Sequence, residues 1–201
     1  KMETMHMQKL VINMSLPLIV SLLVQSLYNI VDSIFVAKMS EEALTATSLA
    51  FPVQMLMIAF SVGTSVGVNA LLSKTLGARN RERATKIANT SIMLALIGGA
   101  VFSLTGIFFA QKLARSFTTV ESTAALCADY LSICMIFCFG NFIETMLQRF
   151  LQAAGNTVLS MCSLIAGAVT NIILDPILIF GLFGFPALGI RGAAIATVIG
   201  Q

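Results

Sequence analysis

The chain has 201 residues, of which 57% are hydrophobic and only 10% are charged, and its formal net charge is +3. A soluble domain carries about 25% charged residues, so this composition cannot supply a water-facing surface. Nucleic-acid binding is excluded as well, because the densest basic stretch is one short segment, residues 74–86, rather than a basic face. The composition therefore indicates an integral membrane protein.

Long apolar blocks separated by short polar stretches predict an all-α polytopic fold. A spanning helix needs about 20 predominantly apolar residues. The predicted transmembrane helices cover about 10–37, 47–72, 87–110, 123–147 and 157–180, with a sixth that begins at 190 and is incomplete at 201. The first block is too long and too polar for a cleaved signal peptide. We therefore expect a six-helix membrane lobe with its sixth helix truncated, and a longer native protein.

The distribution of basic residues between the blocks predicts the orientation in the membrane. On the side of the amino terminus lie eight: Lys1, Lys9, Lys74, Arg79, Arg81, Arg83, Lys86 and Arg149. On the opposite side lie four: Lys38, Lys112, Arg115 and Arg191. Because basic residues accumulate in cytoplasmic loops, this asymmetry predicts a multi-pass protein of the cell membrane with a cytoplasmic amino terminus.

The cysteines do not suggest a metal centre. Cys127, Cys134, Cys138 and Cys162 all lie inside apolar blocks, without a CxxC pair or a neighbouring histidine. Three of them share one helix face, which is typical of packing residues. We expect no cofactor and no metal centre at these residues.

The first helix carries a continuous polar stripe. Ser21, Gln25, Tyr28, Asn29 and Asp32 recur at the spacing of one helix face. Charged residues within spanning helices are energetically costly, so Asp32 is a candidate functional residue, and the stripe cannot face lipid. Gln25, Tyr28 and Asn29 are therefore predicted to line a polar cavity.

The fifth block repeats this design. Asn171 and Asp175 lie one turn apart, so both side chains can reach one ligand. Pro176 lacks an N–H, which should free the carbonyl of Ile172 as a further oxygen. Carboxylate, amide and carbonyl oxygens suit a hard cation or a proton. The alternative is that these residues only form hydrogen bonds across the bundle, but a second carboxylate, Asp32, on another helix favours a proton or sodium switch.

Two other acidic residues are assigned local roles. Glu144 has Gln148 and Arg149 at i+4 and i+5, which predicts a local contact near the membrane interface. Asp129 lies near the start of the fourth helix, where a negative charge is favourable. Neither residue is predicted to bind a ligand.

Proline and glycine positions predict how the helices bend and pack. Pro17 lies inside the first helix and is a predicted kink site, which serves either as a hinge or as a fixed bend that shapes a cavity. Gly63 with Gly67, and Gly98 with Gly99, predict close approach between helices in the membrane.

Several motifs are each weak on their own, but their order and spacing along the chain are specific in combination. They are the first-helix pattern Pro17, Gln25 and Asp32, the segments LGARN at 76–80, RFLQAAGN at 149–156 and NIILDP at 171–176, and the stretch 192–201. On these residues the chain resembles the amino-terminal half of the multidrug and toxic compound extrusion (MATE) transporters over nearly its whole length.

The resemblance implies a twelve-helix protein of two six-helix lobes that exports small organic cations, drugs or toxic metabolites as a Na⁺- or H⁺-coupled antiporter, by alternating access. It implies a cation site (Na⁺ or H⁺) at Asp32, Asn171, Asp175 and Thr197, and a hinge at Pro17. Its partners would be the substrate, membrane lipid and the missing carboxy-terminal lobe. Without that lobe we expect the fragment to be inactive.

Two other functions fit parts of the sequence less well. A lipid-linked oligosaccharide flippase of the same superfamily would share the helices but would need a cationic cavity for pyrophosphate, whereas Asp32 and Asp175 make this cavity acidic. An intramembrane enzyme would need a nucleophile and base or a metal cluster within the helices. The two aspartates alone do not supply one, so we expect no enzymatic activity.

Overall fold

Seven α-helices make up most of residues 7–201, the part of the chain that the computed structural model describes; Lys1, used in the orientation argument, lies outside it. The helices are α1 (Met7–Met39), α2 (Glu41–Gly77), α3 (Arg81–Phe117), α4 (Glu121–Ile136), α5 (Phe139–Ala153), α6 (Thr157–Phe180) and α7 (Ile190–Gly200). A short 3-10 turn, Leu182–Gly184, follows α6. The all-α polytopic fold predicted from the sequence is confirmed.

Capping side chains fix where the helices begin. The Ser40 hydroxyl accepts from the backbone N–H of Ala43 at 3.0 Å, and the Asn80 side chain accepts from the N–H of Arg83 at 3.0 Å. Each cap satisfies a backbone donor that the first helical turn leaves unpaired. Because the connections at these caps are only a few residues long, successive helices lie antiparallel and adjacent.

Four helices are long and apolar enough to cross a membrane: α1, α2, α3 and α6. At a rise of 1.5 Å per residue, the 37 residues of α2 extend over roughly 55 Å, well beyond the ~30 Å hydrocarbon core. The charged ends of α2, Glu41 and Lys74, therefore lie outside the apolar layer. The predicted blocks 47–72 and 87–110 form the central parts of longer helices, and the chain is a multi-pass membrane protein.

The fourth block is bent. The sequence predicted one spanning helix over 123–147, and the structure has two helices there, α4 and α5, which meet at 47° and together are long and apolar enough for one bent span. At the break, the N–H of Cys138 donates to Met135 O at 3.4 Å, and the Cys138 thiol contacts Gly99 O at 3.4 Å. Packing of Phe139 against Gly99 directs α5 along α3. The bend therefore depends on contacts between α5 and α3, which the local sequence pattern does not reveal.

Glycines allow α3 to approach this bent pair closely. A Cβ at Gly98 would lie 2.8 Å from the Phe142 ring, and a Cβ at Gly99 would lie 2.7 Å from the Phe139 ring, so the predicted close approach is confirmed there. At Gly63 and Gly67, no such contact lies within 4 Å in the described part of the chain. For that pair, the prediction of close helix packing was wrong within this lobe.

Large apolar side chains lie outside and small or polar ones inside. Leu22 is 65% exposed and Phe108 is 68% exposed, whereas Ala43, Ala46 and Ala50 of α2 are fully buried. Lipid provides no hydrophobic force between helices, so small residues that permit close packing occupy the helix contacts. The arrangement agrees with a surface that faces acyl chains.

Candidate functional site

A cavity of about 650 Å³ lies between α1, α2, α4 and α7. Its polar lining comes from the α1 stripe and from three other helices: Gln25, Tyr28, Asn29, Asp32, Gln54, Tyr130 and Thr197. Gln25, Tyr28 and Asn29, the three positions predicted to line a cavity, thus share one wall with Asp32. The arrangement keeps these polar groups away from the apolar exterior, where they would be costly.

Asp175 and Asn171 of α6 lie behind this wall. Asp175 is 0% exposed and Asn171 is 2% exposed. Both carboxyl oxygens of Asp175, both amide atoms of Asn171 and Oδ1 of Asp32 lack hydrogen-bond partners among residues 7–201. Buried polar atoms are almost always paired, and a ligand or proton bound here would give these five atoms partners.

The carboxyl groups of Asp32 and Asp175 interact with each other across the contact between α1 and α6. An ionised carboxylate can only accept hydrogen bonds. Two facing carboxylates therefore repel unless a proton or a cation lies between them. The cavity lining includes no Lys or Arg within the described chain, so no basic side chain of the lining offsets the charge of this pair.

Thr197 of α7 reaches the same region. Its hydroxyl donates to the carbonyl of Ala193 at 3.0 Å, so toward other groups the Thr197 oxygen can act only as an acceptor or as a cation ligand. Close packing at Gly200 holds α7 against α6, since a Cβ at Gly200 would lie 2.8 Å from the Asn171 Cβ. The structure thus gathers Asp32, Asn171, Asp175 and Thr197 where α1, α6 and α7 meet.

The sequence reasoning missed Gln54 and Tyr130. The Gln54 amide donates to the Tyr130 hydroxyl at 3.3 Å and to the Cys134 sulfur at 3.8 Å, which joins α2 to α4 across the cavity wall. Tyr130 is 4% exposed, so its hydroxyl needs such a partner. A usable signal existed: Gln54 is an isolated amide in an apolar stretch of α2, and Tyr130 is one of only two tyrosines.

Comparison with known proteins identifies the family. The sequence model of the MatE family matches residues 17–177 of the chain. The chain belongs to the MatE family. This confirms the resemblance noted from the motifs and places the chain among transporters rather than enzymes, so the expectation of no enzymatic activity is confirmed.

Two relatives and one solved structure show the extent of the match. The chain is 35% identical to a probable multidrug resistance protein, YoeA, of Bacillus subtilis over 91% of its own length and 40% of that protein. It is 31% identical to an FAD transporter of Shewanella oneidensis, over 94% of the chain and 42% of that protein. An outward-facing multidrug resistance MATE transporter aligns with a TM-score of 0.89 at 31% identity, over 96% of the chain and 42% of that structure. The chain thus spans less than half of each.

Pro17 of this MatE chain lies away from the acidic pair. It is buried within α1, which continues through it as one helix, and its carbonyl accepts a hydrogen bond from the Ser21 hydroxyl at 2.9 Å. α6 likewise continues through Pro176. Both prolines leave one backbone carbonyl of the preceding turn without its helical donor.

The other acidic residues occupy distinct settings. Oε1 of Glu144 accepts a hydrogen bond from the Gln148 amide, as its i+4 spacing predicted. Asp129 lies two turns inside α4, so its predicted position at the start of that helix was wrong. It forms an ion pair with Arg191 through two contacts, at 3.0 and 3.1 Å, which joins the middle of α4 to the start of α7. Both groups of that pair are well exposed, so it orients the helices more than it stabilises them.

The cysteines form no metal site in the described chain. Cys127, Cys134 and Cys138 are buried and Cys162 is exposed, all as free thiols. Among residues 7–201, no three His, Cys, Asp or Glu side chains are grouped so that they could hold a metal ion. A cation at this site would depend on carboxylate, amide and hydroxyl oxygens.

Proposed function

We propose that the protein containing this chain is a secondary transporter that exports small organic cations, drugs or toxic metabolites by alternating access, in exchange for Na⁺ or H⁺. The observation that carries the proposal is the facing pair Asp32 and Asp175, with no basic side chain in the adjoining cavity lining within residues 7–201. Such a pair favours cations and holds a proton or metal cation between two carboxylates.

The coupling cation, in this proposal, binds to Asp32, Asn171, Asp175 and Thr197. Oxygen donors from two carboxylates, one amide and one hydroxyl form the hard set that Na⁺ accepts, and the same carboxylates accept a proton. The unpaired atoms of Asn171 and Asp175 support this role. Pro17 is proposed as the hinge that bends α1, which carries Asp32, when the site is loaded.

The chain is proposed to form one of two lobes. Residues 1–201 would be the amino-terminal lobe, and a carboxy-terminal lobe of the same chain would complete the cavity and provide the second rigid body that alternating access requires. Relatives about twice as long support this arrangement. The fragment alone would then be inactive.

Two other cargoes are less well supported. A lipid-linked oligosaccharide carries a pyrophosphate, and FAD, the cargo in the name of the Shewanella relative, is also an anionic phosphate compound. Both would need basic side chains near the cavity, but the lining has an aspartate and, in the described residues, no Lys or Arg. Organic cations match this lining better.

The test is export by cells that lack their own efflux pumps and express the full-length gene. We expect ethidium to leave these cells faster than vector controls, and the resistance of the cells to cationic drugs to rise. The coupling ion is identified by two comparisons of ethidium export. One compares sodium with choline at fixed pH, and the other compares the presence and absence of a proton gradient at fixed sodium. Export of FAD without export of ethidium would overturn the proposed cargo.

The proposed cytoplasmic amino terminus has its own test. Cys162 is the exposed cysteine of the described chain, so it is replaced by Ser. A new cysteine is placed at Thr119, between α3 and α4, or at Glu82, in the first turn of α3, so that the two positions lie at opposite ends of α3. We expect a membrane-impermeant maleimide to label the Thr119→Cys protein in intact cells. The Glu82→Cys protein should react only after permeabilisation. The reverse pattern would show the opposite orientation.

A further inference from the structure

A basic turn, residues 74–86, joins the end of α2 to the start of α3. It contains one acidic residue, Glu82, and five basic residues, all of them exposed: Lys74, Arg79, Arg81, Arg83 and Lys86. Lys86 pairs with Glu82 at 2.7 Å. Lys74, Arg81 and Arg83 form no ion pair among residues 7–201. The turn therefore presents positive charge that its own side chains do not offset.

The opposite side of the bundle has no such excess in the described chain. Arg115 pairs there with Glu121 at 3.1 Å, and Arg191 pairs with Asp129 at 3.0 Å. Four basic side chains on that side are matched by four acidic ones: Lys38, Lys112, Arg115 and Arg191 with Glu41, Glu42, Glu121 and Asp129. The positive-inside rule counts basic residues and gives acidic ones little weight. It therefore does not explain why acidic residues balance the basic ones on one side only.

The local energetics of α3 do not explain the basic residues either. Arg81 and Arg83 lie in the first turn of this helix, where the aligned peptide dipoles already produce a positive potential. Acidic side chains are favoured at such positions, and basic ones are not. Arg79 has φ +55°, a left-handed conformation that glycine adopts at lower cost. Basic side chains thus occupy positions that are unfavourable for the helix and the turn, and a bound anion would offset this.

The basic turn lies at the boundary of the apolar layer. The predicted apolar blocks end at 72 and begin again at 87, so Lys74 and Lys86 lie within two residues of them. At 1.5 Å per residue, the Cα atoms of these lysines are roughly 2–3 Å beyond the apolar blocks, and that of Arg83 is roughly 6 Å beyond. From such positions the long side chains of Lys and Arg extend to the membrane interface. The charges of the turn therefore lie at the depth of the lipid headgroups.

We propose that the basic turn is a docking surface for anionic phospholipid headgroups. Charge complementarity and depth select this partner, because lipid phosphates lie beside the helices at the level of these side chains. Arginine also binds phosphate through two parallel N–H contacts. With the amino terminus in the cytoplasm, as proposed above, the turn faces the cytoplasmic leaflet, where anionic lipids occur. The choice of leaflet rests on that orientation, whereas the lipid contact depends only on the charges and their depth.

The test is the Tm of the purified full-length protein in mixed micelles that contain dioleoylphosphatidylglycerol or dioleoylphosphatidylcholine. A ligand that binds the folded state raises the Tm. We expect the anionic lipid to raise it and the zwitterionic lipid to raise it much less. The double variant Arg81→Gln, Arg83→Gln should need more phosphatidylglycerol for the half-maximal rise, by about fivefold for each charge removed.

The matched control is Lys38→Gln with Lys112→Gln, which removes two charges from the opposite side of the bundle. Neither lysine forms an ion pair among residues 7–201. This variant should respond to phosphatidylglycerol as wild type does. An unchanged response of the arginine variant would overturn the proposal, since the lipid would then bind elsewhere. Equal weakening in both variants would also overturn it, because the response would then follow net charge and not this turn.

Two further measurements on wild type test the nature of the partner. Glycerol phosphate, the headgroup without acyl chains, should leave the Tm unchanged at the concentrations of lipid used. An equal rise would indicate a site for soluble phosphate and not a membrane surface. In about 1 M sodium chloride, where the screening length is only about 3 Å, the effect of phosphatidylglycerol should largely disappear. If it persists there, the contact is not electrostatic, and the proposal fails even where the arginine variant cannot be purified.

Discussion

Replacement of Asp175 by Asn is expected to reduce ion-coupled export by roughly a hundredfold, to the level of vector controls, without reducing the amount of folded protein. The side chain is 0% exposed and neither carboxyl oxygen has a hydrogen-bond partner in the described residues. Asn keeps the shape but removes the charge that would hold the coupling cation against Asp32. Export of ethidium by cells expressing matched protein levels is the measurement.

Stability distinguishes this role from a structural one. A buried carboxylate without partners is unfavourable for folding, so its neutralisation should leave the Tm of the ion-free protein unchanged or raise it. The coupling ion should raise the Tm of wild type and not that of the Asp175→Asn protein, because a ligand stabilises only the state that binds it. A structural Asp175 would give the opposite result, with a lower Tm and export reduced only in proportion to protein level.

Asp129→Asn is the matched control for the same chemical change. Asp129 lies on the outside of the cavity and pairs with Arg191 at 3.0 Å in an exposed setting. Its neutralisation should leave both export and the response to the ion close to wild type, because exposed ion pairs contribute little. Equal losses in the two variants would show that the effect of Asp175→Asn does not come from a cation site.

Helical periodicity predicted the parts of this site that depend on one helix at a time. Asp32 and the residues one and two turns before it share a face of α1, and Asn171 with Asp175 share a face of α6, so the 3.6-residue spacing was sufficient. Thr197 followed only from the family resemblance, since one hydroxyl in an apolar helix is not distinctive. Its position beside the cavity depends on packing at Gly200.

Features that depend on contacts between distant segments could not be predicted in this way. The ion pair of Asp129 with Arg191 joins residues 62 apart, and the hydrogen bond of Gln54 to Tyr130 joins residues 76 apart. The bend between α4 and α5 follows the surface of α3 rather than a proline of its own.

The packing of α7 on α6 predicts the second large effect, on stability and export together. Gly192 lies so close to α6 that a Cβ would be 2.4 Å from the carbonyl oxygen of Leu178 and 2.9 Å from the backbone nitrogen of Ile179. We expect Gly192→Ala to destabilise the full-length protein by about 1–3 kcal/mol, the usual cost of overpacking, with a lower Tm.

The backbone of α6 cannot easily move away from this contact. The carbonyls of Leu178 and Ile179 accept hydrogen bonds from the N–H groups of Leu188 at 3.0 Å and Gly189 at 3.2 Å, just before α7 begins. An added methyl must therefore displace α7 itself, which carries Thr197 five residues further along. Export should fall more steeply than the amount of folded protein, because the Thr197 oxygen would shift relative to the other proposed cation ligands.

Gly63→Ala provides the contrast, since no neighbouring group lies within 4 Å of the added Cβ in the described part of the chain. In the middle of α2, Ala is favoured over Gly by about 0.5–1 kcal/mol, so this variant should match or exceed the wild-type Tm. Equal Tm values for the two variants would mean that α6 and α7 tolerate separation. If Gly192→Ala lowers the Tm but leaves export per folded molecule intact, the position of Thr197 does not matter for coupling, and the cation site reduces to the residues on α1 and α6.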